Sequence, residues 1–434
     1  MVCQLEVLRH CLPPSVRRIL AELPETLDET YERILVDIPK ANQEHAHRLL
    51  QCLTVAVRPL KVDELAEVLA IDFSDTGGTP RLNEDLRWKD QEQAVISACS
   101  SLITIIDDED TRIVQFSHFS VKEFLTSGRL AASTADSLRY HYIPLEPAHT
   151  IMAIACISVL LRLDCLIDRE SIKNFPLAKY SASYFAKHAD FESVISHIQD
   201  SIDLLLDTEK PHFAAWRWVA SDSSSPHPEQ PRGNPLHYMW EFGSPGLARY
   251  LISKQPQYLH LTVDGLGAPL HEAAAHGNTE IFRVLLEQCV YVDIRDFDHS
   301  TPLHRAAYWG RFEHCQILVE RGADVNARDV NIQTPLHKVF LHILADADDR
   351  YLDVTRFFLM HGADLDALDT DHSTPLHVAS REGYLKGVKI LLEHGADARM
   401  KNDESQTLGQ VAHGRYGEEI MQLLSSHAQS ELHT

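Results

Sequence analysis

The sequence predicts a mainly α chain in two dissimilar parts: a helical N-terminal half interrupted by one strand pair, and a C-terminal stack of helical hairpins. A short string recurs at near-constant spacing between residues 234 and 417. The Ser/Pro-rich stretch SDSSSPHPEQPRG (221–233) separates that part from what precedes it. A length of 434 residues is too great for one core, which argues for two or three domains.

The recurring string is GAPLHEAAAHG from Gly267, STPLHRAAYWG from Ser300, QTPLHKVFLHI from Gln333 and STPLHVASREG from Ser373. Its prolines are Pro269, Pro302, Pro335 and Pro375, so the third unit carries seven extra residues. These fall around the polar segment ADADDRYLD (345–353), expected between the two helices of that unit. Weaker copies start at Asn234 and Gln406. In each unit the chemistry is that of a helix start. Thr301 can cap by accepting a backbone N–H, and Pro302 fits the first helical position, where no N–H is needed. Leu303, Ala306 and Ala307 form a small apolar face at helical spacing, and Gly310 ends the helix. A second helix follows with Ile317, Leu318 and Val319, and RGADVNARD supplies a glycine stop and an extended turn. One such hairpin cannot bury its apolar side alone, whereas stacked copies can.

The TPLH string, the alanine pair and GADVNA, recurring in register, resemble the ankyrin repeat over roughly 232–427, with four clear units and degenerate ends. The resemblance implies that another protein lies against the turn tips and the exposed positions of the first helices. By register these are Phe297, Asp298, Ser300, Tyr308 and Trp309 at one junction. Val330, Asn331, Gln333, Leu341 and His342 follow at the next, then Thr370, Asp371, Ser373, Arg381 and Glu382. Phe297, Tyr308, Trp309, Val330 and Leu341 stand out, because aromatic and aliphatic side chains rimmed by acids have the composition of an interface core. The alternative is that they pack onto the seven-residue insert or onto residues 211–220.

Composition narrows the function. Lys+Arg 40 against Asp+Glu 63 gives a formal charge of −23, which repels phosphate backbones. The longest apolar run, IMAIACISVLL (151–161), stops at Arg162 and is too short to cross a bilayer; the N-terminus lacks the features of a secretory signal. Cys3, Cys11, Cys52, Cys99, Cys156, Cys165, Cys289 and Cys315 show no C-x-x-C spacing and read as reduced, mostly buried thiols of a cytosolic protein. HEAAAH (271–276) falls short of a zinc-protease motif, since its histidines are five apart and so about 140° round a helix. His271 instead reads as the repeat histidine, like His304, His337 and His377, bonding backbone in the turns. HAH (45–47) reads as a wet helix face, and DADDRYLD as a solvated acidic stretch without calcium-loop spacing. The sequence contains no G-x-S-x-G, H-E-x-x-H or G-x-x-x-x-G-K-[ST], and Gly77 and Gly78 lie in a polar loop with no GK[ST] after them.

The N-terminal half opens with LPETLDETYERIL (23–35), where Thr26 and Glu29 make a capping box and Leu27, Tyr31, Ile34 and Leu35 an apolar stripe. Residues 45–73 read as helix, turn at Arg58-Pro59, helix; 93–107 as helix passing into strand; 112–118 as the returning strand after DDED. Ser120 and Glu123 then suggest another capping box. Three helices followed by a two-stranded wing is the winged-helix order. Such domains can read DNA with the third helix, but residues 40–130 hold ten Lys/Arg against fifteen Asp/Glu, and the third helix, near 92–101, has no Lys or Arg. Residues 131–220 read as all-helical, with 148–163 buried and 176–189 amphipathic.

LPETLDETYERIL, RPLKVDELAEVLAID, FSHFSVKEFL and FPLAKYSASYFAKHA each resemble blocks that follow the NACHT domain in fungal NOD-like receptors, signal-transduction ATPases of which many end in ankyrin repeats. The resemblance implies a NACHT ATPase ahead of residue 1, and the phosphate loop, magnesium carboxylates and arginine of that module are not in this sequence. The expected fold is therefore mainly α, a winged-helix and helical domain followed by an ankyrin-repeat solenoid. Its expected divisions are linker helices at 1–38, a winged helix at 39–130, a helical domain at 131–220, a linker at 221–233 and repeats at 234–427. The expected function is a non-enzymatic, cytoplasmic scaffold or sensor fragment that binds another protein, with no catalytic residue, cofactor, metal, nucleic acid or membrane. The alternatives are the regulatory half of an ATP-switched receptor, whose NACHT-type module is missing or supplied in trans, and a winged-helix DNA-binding regulator.

Overall fold

Thr26 starts the first helix as its sequence requires: its hydroxyl accepts from Glu29 N at 3.2 Å, and Glu29 Oε2 accepts from Thr26 N at 3.3 Å. This is a computed structural model, which describes residues 26–73, 81–108, 111–221, 224–289, 291–341, 349–412 and 416–431. Residues 1–25 with Cys3 and Cys11, the pair Gly77 and Gly78, Glu109 and Asp110 of the DDED turn, and residues 342–348 of the insert, including His342, lie outside the described residues. The chain divides into two units, one up to Pro231 and one from Arg232.

In the first unit, α1 (Leu27–Asp37) and α2 (Gln43–Val55) precede β1 (Leu60–Lys61) and α3 (Val62–Val68). A two-residue strand pair follows, β2 (Ile71–Asp72) with β3 (Arg81–Leu82). Next come α4 (Gln91–Cys99) and the wing, β4 (Ile103–Asp108) with β5 (Thr111–Phe116), paired from Ile103–Phe116 to Asp108–Thr111. The wing has a third strand that the sequence does not announce. β1 pairs with β5, Leu60 opposite Val114, in the order β1-β5-β4. Two residues at the foot of a helix carry no alternation to read.

α5 (Phe119–Leu125) corrects another expectation. The Ser120–Glu123 box does not form. The His118 ring caps by accepting from Ser120 N at 3.3 Å, while the Ser120 hydroxyl lies 2.7 Å from that ring and 2.9 Å from the Tyr31 hydroxyl on α1. Beyond it, α6 (Leu145–Leu160) is largely buried, as its apolar sequence predicts, and packs on α2 and α7 (Ala178–His188). Glu67, buried on α3, holds Arg87 and accepts from Leu177 N at 2.7 Å, joining the winged helix to the helices after it. Burial pushes its carboxyl pKa up, against the pull of Leu177 N–H and Arg87. His47 is not on a wet face: it packs on Tyr140 at 5.0 Å and His141 at 6.2 Å, and burial pushes both imidazoles down to about 4. Cys52, Cys99 and Cys156 are buried as expected, whereas Cys165 is exposed. Among the described residues no helix is long and apolar enough to cross a membrane.

The second unit is a solenoid. Its clear repeats are α8 (Pro269–His276) with α9 (Thr279–Gln288), α10 (Pro302–Tyr308) with α11 (Phe312–Glu320), α12 (Pro335–Val339) with α13 (Arg350–Met360), and α14 (Pro375–Arg381) with α15 (Leu385–Glu393). First helices pack on first helices and second on second, from α8 to α15. That buries Leu270, Leu303, Leu336 and Leu376 at 2 % exposure or less. The weaker copies cover the ends, with helices Pro245–Lys254 and Gly417–Glu431. In the long third repeat the segment RYLD proves to be helix rather than insert. Its Tyr351 is buried, its hydroxyl donating to Tyr308 O at 3.5 Å, and a Cβ at Gly310 (φ +62°) would come within 3.0 Å of its ring.

Between repeats the histidine does what was expected of the threonine. Thr301 N donates to His304 Nδ1 at 3.1 Å, and the Thr301 hydroxyl lies 2.9 Å from the same nitrogen. His304 Nε2 donates to Gln333 O of the next repeat at 3.0 Å. A backbone N–H only donates and a carbonyl only accepts, so the ring is neutral with its proton on Nε2, and the threonine hydroxyl donates to it. His271 spans Ala268 N and Ser300 O, at 3.1 and 2.9 Å, and His337 spans Thr334 N and Ser373 O, each at 3.1 Å. At Thr374 the predicted cap is also present, accepting from His377 N at 3.3 Å.

Candidate functional site

The turns between repeats are hairpins, closed by Asp296 N to Ser300 O (3.0 Å), Asp329 N to Gln333 O (3.1 Å), Asp369 N to Ser373 O (3.1 Å) and Asn402 N to Gln406 O (3.2 Å). An aspartate organises each of the first three from inside. Asp329 Oδ1 accepts from Asn331 N and Gln333 N, both at 2.9 Å, and Asp296 and Asp369 do the same in their own turns. Their other oxygens are engaged too, two by a first helix and one by the preceding turn. Asp296 meets Arg305 at 3.0 Å, Asp329 meets Lys338 at 2.6 Å, and Asp369 accepts from Gln333 Nε2 at 3.3 Å. The tips then bond to one another: Val330 N to Asp298 O at 2.8 Å, Thr370 N to Asn331 O and Asp403 N to Asp371 O, both at 3.0 Å. Four tips thus form one backbone strip, and the longer third repeat does not break its register.

Each tip turns through a residue at positive φ: His299 (57°), Ile332 (58°), His372 (51°) and Ser405 (58°). For a β-branched residue this left-handed region costs about 1–2 kcal/mol. Ile332→Gly should therefore raise stability, net of glycine's greater unfolded freedom, by about 0.5–1 kcal/mol. Calorimetry should show a melting temperature about 1–3 °C higher.

Asp298, Ser300, Tyr308 and Asn331, all named from the sequence, line one pocket of about 330 Å³ with Arg305 and Lys338. Phe297 and Val330 sit on neighbouring tips, 61 % and 54 % exposed, joined by Ile332 at 38 %, which the sequence did not single out. Ser300 and Ser373 are buried, their carbonyls taken by His271 and His337, so they shape the turns rather than present a side chain. Gln333 is half-buried between Lys338 and Asp369. Thr370, Asp371, Arg381 and Glu382 are exposed, and Tyr308, Trp309 and Leu341 are half-buried. Trp309 belongs to a stack: its ring lies 6.5 Å from that of His276, which lies 3.5 Å from that of Trp240. His276 and Trp309 share one register, seven residues after Pro269 and Pro302, whereas Trp240 stands only five after Pro235. The stack was missed because Trp240 stands in the degenerate first copy and His276 was weighed only as a metal ligand.

Burial pushes His304 down to about 4, against the opposing influence of the Gln333 carbonyl, and lowers His237, His271, His337 and His377 in the same direction. The site therefore has a neutral hydrogen-bonded floor, two internally neutralised cations, and apolar and acidic tips.

Residues 236–329 and 328–402 match the family model described as "Ankyrin repeats (3 copies)". The second unit is an ankyrin-repeat array. Residues 31–136 match the model described as "GPI inositol-deacylase, winged helix domain", and the first unit carries that winged helix ahead of its further helices. A similar protein, "Azaphilone pigments biosynthesis cluster protein L" of Monascus ruber, is 27 % identical over 292 residues, which is 62 % of this chain. The chain spans 60 % of the length of that relative.

Proposed function

We propose that the chain is a non-enzymatic scaffold that holds another protein against the tips and first helices of its ankyrin repeats. One observation carries this reading: a backbone bond joins the tips that carry Phe297, Val330 and Ile332, and leaves all three exposed to solvent. Such a patch on a rigid backbone has the properties of an interface centre.

A second reading, the regulatory half of an ATP-switched NOD-like receptor, is favoured by the order winged helix, helices, ankyrin repeats and by the four sequence blocks of the N-terminal half. A DNA-binding role has less support. α4 carries no Lys or Arg, and Arg112 of the wing ion-pairs with Glu92 at its start.

Proximity labelling in cells, with the full chain and with Phe297→Asp/Val330→Asp, tests the scaffold. The double variant should lose at least tenfold in labelling of a specific protein while its thermal transition stays in place. An unchanged partner set would overturn the reading. A NACHT-type ATPase among the proteins lost would favour the second.

A further inference from the structure

The scaffold reading leaves the chemistry of the partner open, and the charges around the tips close part of it. The exposed positions of the four bonded hairpins are 297–299, 330–332, 370–372 and 403–405. They hold Asp298, Asp371, Asp403 and Glu404, and no lysine or arginine. Asp264 is exposed on the preceding hairpin, closed by Val263 N to Gly267 O at 2.9 Å. Of these acids Asp403 has a weak cation, His372, at 2.6 Å.

Three cations near the tips are committed inward, while Arg328 and Lys401 are exposed at the feet of the second and fourth hairpins. Arg305 and Lys338 neutralise the buried Asp296 and Asp329, and Arg295 donates to the carbonyls of His299 and Arg328 at 3.0 and 2.7 Å. The acids that build the hairpins are thus cancelled, and those that face solvent are not. Phe297, Val330 and Ile332 lie on the first two bonded tips, with Asp298 beside them and Asp371, Asp403 and Glu404 on the two that follow.

We infer that the partner segment seated on the tips is basic and amphipathic: a stretch of another polypeptide with a large apolar side chain over Phe297 and Val330, and lysine or arginine over Asp298 and Asp371. This rests on the scaffold reading and adds the partner's charge to it. An acidic segment meets like charge at Asp298, Asp371, Asp403 and Glu404. A neutral apolar one leaves the acids without gain and loses the electrostatic steering that speeds encounter 10–10³-fold at low salt. Exposed pairs are screened over about 8 Å at physiological ionic strength, so the charge contribution should be salt-sensitive and the apolar one not.

The test is selection of a random twelve-residue peptide display library on the intact chain at 50 mM and 500 mM salt. It is repeated with Asp298→Lys/Asp371→Lys and with Phe297→Ser/Val330→Ser, each checked for an unchanged melting curve. Peptides enriched by the native chain should carry an excess of lysine and arginine beside at least one large apolar residue. They should bind at least tenfold more weakly at high salt, and lose at least tenfold on either double variant. Enriched peptides that depend on Phe297 and Val330 but are neutral or acidic, or ignore the aspartate reversal, overturn the basic partner and leave the scaffold standing. A selection in which no enriched peptide depends on Phe297 and Val330 overturns both.

Discussion

His304→Ala should lower the melting temperature of the ankyrin array by about 10 °C. The substitution leaves Thr301 N–H, the Thr301 hydroxyl and the Gln333 carbonyl without the ring that joins them, all in a region where His304 is 1 % exposed. A buried polar group left unsatisfied costs about 1–3 kcal/mol, so the loss is about 3–5 kcal/mol, allowing for some relaxation. In a unit of this size each kcal/mol moves the midpoint by about 2–4 °C. The array itself supplies the milder replacement. At the equivalent place in the last copy, Gln410 Oε1 accepts from Thr407 N at 2.8 Å. His304→Gln should therefore retain more than half of the lost stability.

The same ring makes the array acid-labile. His304 titrates at about 4 in the folded chain against an ordinary 6.5, so below 6.5 the unfolded state binds a proton that the native state refuses. Stability is then complete above pH 6.5 and falls as the pH drops towards 4. His237, His271, His337 and His377 are lowered too and add to the slope. Melting temperatures of the native chain and of His304→Gln, measured from pH 7.5 to 4.5, should diverge at neutral pH and converge in acid. Parallel curves would mean the ring does not need to be neutral.

Asp329→Ala should cost about 3–5 kcal/mol, close to the loss of one partner of a buried ion pair. It leaves Lys338 with the Gln333 amide oxygen at 2.8 Å but no anion, and leaves the N–H groups of Asn331 and Gln333 without their acceptor. Asp329→Asn keeps an oxygen for those N–H groups but turns an NH2 towards the Lys338 ammonium, so it still loses the ion pair and should be milder than the alanine by about 1–2 kcal/mol. Denaturant unfolding of the two variants separates the roles. Equal losses would show that the ion pair alone matters and that the turn closes without its internal acceptor.

The repeats were legible because a hairpin that cannot bury its own face must repeat its apolar positions at fixed spacing, and TPLH marks each start. The winged-helix order was legible for a similar reason, helical stripes giving way to two alternating strands. What escaped was decided by partners distant in sequence. Leu60 and Lys61 are a strand only because β5 lies beside them, and His118 caps α5 because the Ser120 hydroxyl lies against Tyr31. Thr301 donates to a ring that could be read only as bonding backbone in the turn. At the site, register placed Phe297 and Val330 on neighbouring tips, and both are exposed. Ser300 and Ser373 occupy the same kind of position, but the neighbouring repeat claims their carbonyls, and sequence spacing carries no record of that.

Tip-to-tip bonding has a bearing on how fast and how cheaply a complex can assemble. Four separate loops would each surrender wandering when a visitor arrived, and that entropy would come out of the affinity. Because Val330, Thr370 and Asp403 are each tethered to the turn before, most of that ordering is completed during folding, long before any encounter. A visitor meets a landing strip already laid flat, so most of what it gains in contact should appear as a long residence time.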